Sequence, residues 1–154
     1  MQQMWQIKQM IALVMLAICT YTDIRRRIVY TVPLIISAAG GGLITLTAYI
    51  GIAEYGMSGL ITDLIAPILL GAVIIVAVKH AKKHIGTGDG MILAALGILI
   101  GNRSNLYVTA VASVAASVYA GALIIRKKKR FTGGIPFAPF VMSGFLITVA
   151  GGIG

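Results

Sequence analysis

The sequence predicts an all-α membrane protein with six transmembrane helices and both termini on the non-cytoplasmic side, and three observations predict it. First, 58% of the 154 residues are apolar, while only 13 basic and 4 acidic side chains interrupt them; a soluble domain of this size needs a more polar outer layer. Second, the apolar residues fall into six stretches, 5–22, 32–52, 60–78, 88–101, 106–125 and 135–153, to be judged against the roughly 20-residue helix that crosses a bilayer. Third, the basic residues cluster in alternate connections, as they do in multi-pass proteins. The chain leaves room for one membrane domain, residues 1–154, and no second.

Within the first stretch, Lys8 is followed by an apolar run ending Leu16-Ala17-Ile18-Cys19, which has the outline of a signal peptide or lipoprotein leader. A small residue is expected just before such a cleavage point, and Ile18 is not one, so the segment is read as a permanent span. Cys19 is the only cysteine, which excludes a disulfide framework and a multi-thiolate zinc site and leaves it as an apolar helix residue. The second stretch contains Gly40-Gly41-Gly42 and the fifth Gly121, small residues expected to let helices approach closely. The fourth stretch is short and reaches a usable length only if Ile85 to Gly90 also lies at membrane depth, enclosed by protein or a wet cavity. Pro136 and Pro139 are expected to shape the start of the sixth, because a helix accepts proline best in its first turn. Trp5, Tyr21 and Tyr30 suit the aromatic belt at the membrane interfaces.

A formal charge of +9 would suggest nucleic acid as the partner of a soluble protein, but its distribution follows membrane topology instead. Arg25–Arg27, then Lys79, Lys82 and Lys83, then Arg126–Arg130 each lie between two apolar stretches, so placing these clusters in the cytoplasm accounts for eleven of the 13 basic residues and leaves Lys8 and Arg103 outside. No nucleic-acid partner is expected. The Arg126–Arg130 run suits anionic lipid headgroups, although its simplest role is to fix topology. His80 and His84 share a helical spacing compatible with a metal, but lysines crowd them and they read as solvated interfacial residues. Neither a metal nor a cofactor is expected.

The four acids divide into two pairs. Glu54 and Asp63 flank the outer connection between the second and third spans, where water is expected to solvate them. Asp23 ends the first span and Asp89 opens the fourth, on the same cytoplasmic side. Ionisable groups near membrane depth are functional candidates by default. Two carboxylates a few ångströms apart resist ionising together, so one can act as base toward a water while its protonated partner polarises a peptide carbonyl. The plainer alternatives are that Asp23 pairs with Arg26 or Arg27 and that Asp89 caps a helix N-terminus. From a different class, the same acids could serve as a proton relay in a small transporter or assembly subunit.

The surroundings of Asp89, Gly86-Thr87-Gly88-Asp89-Gly90, favour hydrolysis. Glycines around one acid permit unusual backbone and leave no side chain in the way of an extended peptide. No Gly-Lys-Ser/Thr ending follows, so this is not a phosphate-binding loop.

Three segments carry a family resemblance: Asp23-Ile24-Arg25-Arg26-Arg27-Ile28-Val29, the run from Gly86 through Asp89 to Gly97, and Ile135-Pro136-Phe137-Ala138-Pro139-Phe140. In order and spacing the chain resembles the type IV prepilin peptidase family, within the Gly-x-Gly-Asp membrane aspartic proteases. The resemblance implies a six-span core with Asp23 and Asp89 as the catalytic pair. It also implies Gly86, Gly88, Gly90, Pro136 and Phe137 as residues that frame the site or bind substrate. The substrate it implies is a type IV pilin-like precursor, cleaved of its short basic leader at the cytoplasmic face of the cell membrane, without a metal. Two positions depart from the family pattern: Tyr30-Thr31 stand where Pro-Asn is common, and Met91 where lysine is common. The larger family members add an N-terminal part with paired cysteines and methylate the new N-terminus. With one cysteine here, the expected activity is peptidase without methyltransferase.

Overall fold

The computed structural model describes residues 2–26, 28–51, 59, 61–80, 87–127 and 136–152. Among these residues no strand occurs, and each apolar stretch of the sequence corresponds to one helix. They are α1 (Gln2–Arg26), α2 (Thr31–Gly51), α3 (Ala66–His80), α4 (Thr87–Ile100), α5 (Asn102–Lys127) and α6 (Ala138–Ala150), with a π-helical turn at Ile61–Ile65 leading into α3.

By length and composition three of these can cross a bilayer, over Gln3–Arg26, Thr31–Ile50 and Asn102–Ile125; the apolar segments Ile61–Val76, Gly88–Ile100 and Ala138–Ala150 are shorter. The outer surface has the character that lipid requires. Ile50 and Ile125 are 82% and 81% exposed, and Ile36, Val73 and Val118 also face outward, an extent of bare aliphatic surface that water does not tolerate on a soluble monomer.

The short α4 is the centre of the bundle, packed on α1, α2, α3 and α5. Ile92, Leu93, Ala95, Leu96, Leu99 and Ile100 are all buried, so α4 is apolar around its whole circumference because protein surrounds it. Its end is abrupt. Gly101 takes φ +77°, and the next helix starts at Asn102, with Asn105 N–H donating to Gly101 O at 3.1 Å. That left-handed conformation costs an ordinary residue a Cβ clash, and glycine avoids it. The single-residue corner explains why α5 begins before the apolar stretch that starts at 106. Helix α1 likewise runs past residue 22, through Asp23 to Arg26, because Asp23-Ile24-Arg25-Arg26 contains no breaker and basic residues are favoured in a last turn.

Close helix approaches occur at glycines other than most of those expected. A Cβ on Gly71 would lie 2.5 Å from Ala94 Cβ and 2.8 Å from the Gly90 carbonyl oxygen, and one on Gly90 would lie 2.8 Å from Ile75 Cγ1. Helices α3 and α4 therefore touch backbone to backbone. Gly97 is filled against Pro67, and Gly144 lies against the Val108 carbonyl. Of the glycines expected to pack, Gly41 meets Leu99 at 2.7 Å and Gly42 only reaches Leu64 at 3.7 Å, whereas Gly40 and Gly121 face open space. Among the described residues, those two are not points of close helix approach.

Candidate active site

On α1 the residues Ala12, Met15, Leu16 and Cys19 are buried, the i, i+3, i+4, i+7 stripe of a helix facing a core. The next position on that stripe is Asp23, 8% exposed. The aspartate thus stands at the point where the apolar face of α1 turns polar, directed into the bundle. Thr20, one turn earlier, has a buried hydroxyl without a partner among the described residues.

The partner of Asp23 comes from the far end of the chain. Its Oδ2 accepts a hydrogen bond of 3.1 Å from the backbone N–H of Ala138, the first residue of α6. The expected alternative of an arginine partner on α1 is not what the geometry gives for the two described arginines. Arg25 lies over the Tyr21 ring, 5.6 Å from its centroid, and Arg26 donates to the Tyr30 hydroxyl at 3.0 Å. Tyr30, one of the departures from the family pattern, therefore holds Arg26 on the exposed side. Arg27 lies outside the described residues.

Asp89 occupies the first turn of α4, where the helix dipole favours an acid. It is half-buried and lies within electrostatic reach of Asp23. The structure thus brings the two acids to the same end of the bundle, from helices that pack on each other. Val29, just beyond α1, presses on the start of α4: a Cβ on Gly88 would lie 2.8 Å from Val29 Cβ. The space beside Gly88 and Gly90 is filled by protein and both glycines are helical, which differs from the open, unusual backbone expected there. What these glycines visibly permit is the close seating of Val29 and α3 around Asp89. Gly86 lies outside the described residues.

Pro136 and Phe137 are half-buried immediately before α6, and Phe137 is its N-cap, with no side-chain capping bond and a proline in the following first turn. The three segments singled out in the sequence are consequently in contact: the first reaches the third through Asp23 and Ala138, and the second through Val29 and Gly88. The Ala138 amide and Val29 were not among the residues singled out for the site. The sequence holds one clue to the amide: Pro136 and Pro139 supply no N–H, so the donors at this helix start are few.

A second polar region lies near the opposite end of α1, about 22 Å from Asp23 at 1.5 Å per residue. Lys8 donates to Thr45 Oγ1 at 2.6 Å and faces Asp63 across a cavity of about 510 Å³. Asp63 is half-buried there rather than simply solvated, on a π-helical turn that packs on α2, α3 and α4 and leaves the acid within electrostatic reach of Lys8. Glu54, His84, Lys82, Lys83 and residues 128–130 lie outside the described residues, as do the side chains of His80, Lys79, Arg126 and Lys127. The model of the type IV leader peptidase family matches residues 10–121, well over half of the chain and inclusive of both aspartates.

The chain belongs to the type IV leader peptidase family. No curated protein and no solved structure matches it significantly. Family membership gives the class of activity, a peptidase of a family that is aspartic in type, and with the apolar helices makes this a membrane protein. It favours proteolysis over the transporter alternative. The family match stops before Pro136–Phe140, so that segment is tied to the site by the Ala138–Asp23 hydrogen bond and by the packing of α6 on α1.

Proposed function

We propose that this protein is a membrane aspartic endopeptidase that removes the basic leader from type IV pilin-like precursors, with Asp23 and Asp89 as its catalytic pair. The observation that supports it most is the convergence of the two acids, 66 positions apart in sequence, at one end of a bundle whose chain belongs to the leader peptidase family. In this reading an extended precursor segment binds beside the pair. One carboxylate takes a proton from a water while the other, protonated, donates to the scissile carbonyl oxygen; the tetrahedral intermediate then collapses as the leaving nitrogen is protonated. Burial of Asp23 at the end of an apolar stripe keeps bulk water from competing for these protons.

The same reading has all six helices spanning the membrane, both termini on the non-cytoplasmic side and the acids at the cytoplasmic face, where precursors wait before export. The basic connections would rest against anionic lipids there. The test is incubation of the purified, folded protein with a precursor carrying a basic leader, a glycine and a following apolar helix. A single cleavage that releases the leader, lost in Asp23→Asn and in Asp89→Asn, supports the proposal. Failure of the folded protein to cut any leader-bearing precursor contradicts it.

A further inference from the structure

We infer that the backbone amide of Ala138 is a positioning group for catalysis, fixing the Asp23 carboxylate through Oδ2 and leaving Oδ1 as the oxygen offered to Asp89, water and substrate. This rests on the assignment of Asp23 to the catalytic pair. An aspartate side chain turns about two bonds, and a reacting carboxylate must be held to within about half an ångström to be effective. Asp23 is buried and is gripped at one oxygen by a rigid donor.

The start of α6 is built to present that donor. A helix begins with N–H groups that have no partner in their own helix, and where they are buried they need one from elsewhere. Pro139 has no N–H, while Phe140 and Val141 both donate to the Phe137 carbonyl, at 3.0 and 3.2 Å. Phe137 offers no side-chain acceptor to the turn. The Ala138 amide is therefore turned toward α1, where Asp23 takes it. Ala138 is 0% exposed, and its methyl group is small enough to let the end of α6 come within hydrogen-bonding distance of α1. The Pro-Phe-Ala-Pro segment thus acts on the site through a main-chain group, and docking of α6 on α1 completes the geometry of Asp23. Asp89 has no such grip, with no hydrogen-bond partner among the described residues.

The experiment is Ala138→lactic acid, which turns the Phe137–Ala138 peptide bond into an ester and deletes the N–H while keeping the side chain and shape. The control is Val141→2-hydroxyisovaleric acid, which deletes an N–H of the same turn that never reaches Asp23. On a leader-bearing precursor, the substitution at 138 is expected to lower kcat by about 10- to 100-fold, the worth of one hydrogen bond to a charged group. KM should stay within about twofold and the melting temperature should match that of the control, the pattern of an interaction used in the transition state and not in binding. Unchanged kcat in the 138 ester, with the unsubstituted protein active, overturns the inference and leaves the peptidase assignment standing. A 138 ester that melts well below the control, and loses activity only in proportion, makes the bond structural and also overturns it. An inactive unsubstituted protein overturns the peptidase assignment and this inference together.

Discussion

Replacing Gly71 with alanine is expected to damage catalysis as well as stability, although Gly71 lies on a helix that carries neither acid. The added Cβ would stand 2.5 Å from Ala94 Cβ and 2.8 Å from the carbonyl oxygen of Gly90. Carbon atoms rest at about 3.5–4.0 Å, so α3 and α4 must part by about 1 Å, and the obstacle is a backbone carbonyl that no rotamer change relieves. Overpacking of this size costs about 1–3 kcal/mol. The cost falls beside Asp89, because Gly90 is the next residue and α4 holds that carboxylate within electrostatic reach of Asp23. A 1 Å misplacement of reacting groups can lower the rate about 100-fold. Initial rates on a leader-bearing precursor, with thermal unfolding in the same detergent, measure both effects. The control is Gly121→Ala, where nothing lies within 4 Å and activity should be unchanged. Wild-type rate and stability in Gly71→Ala would show that the backbone contact between α3 and α4 does not set the position of Asp89.

Three further outcomes follow from the packing. Asn105 is fully buried and donates to the Leu93 carbonyl at 3.0 Å, so Asn105→Ala should lower stability by about 1–2 kcal/mol in a detergent unfolding titration, within the range for hydrogen bonds between membrane helices. Gly101→Ala forces a side chain into φ +77° and should cost about 1–2 kcal/mol by thermal unfolding, with cleavage retained at permissive temperature because the corner is remote from the acids. Lys8→Met and Asp63→Asn should each destabilise the protein more than expected from the double variant, since each single change leaves the other charge of the facing pair uncompensated; additive losses in the double-mutant cycle would refute their coupling.

Much of this architecture is legible in the sequence. Hydropathy delimits each helix to within a few residues, and the helical spacing of Ala12, Met15, Leu16 and Cys19 already leads to Asp23 as the next position on the buried face. What escapes is pairwise. Gly121 and Gly71 look alike in a run of apolar residues, but only Gly71 meets a backbone from another helix, and nothing local tells them apart. The fourth stretch announces its shortness in the sequence, but its place at the bundle centre, packed on four other helices, is set by partners distant in the chain; Ile85 and Gly86, on which its expected extension turns, lie outside the described residues. Asp63 beside an outer connection reads as solvated, yet it faces Lys8, 55 positions earlier. The Ala138–Asp23 hydrogen bond joins positions 115 apart and uses a main-chain donor, for which side-chain motifs carry no direct signal.

The most direct test of the account is a single-turnover comparison of precursor cleavage by the wild type, Asp23→Asn, Asp89→Asn and the double variant, all shown to be folded. Two carboxylates that act as one unit lose their function together, so each single change should cost at least about 1,000-fold and the double change no more than either alone. Independent, multiplying losses, or a single variant that keeps most of the wild-type rate, would contradict a catalytic pair formed by Asp23 and Asp89.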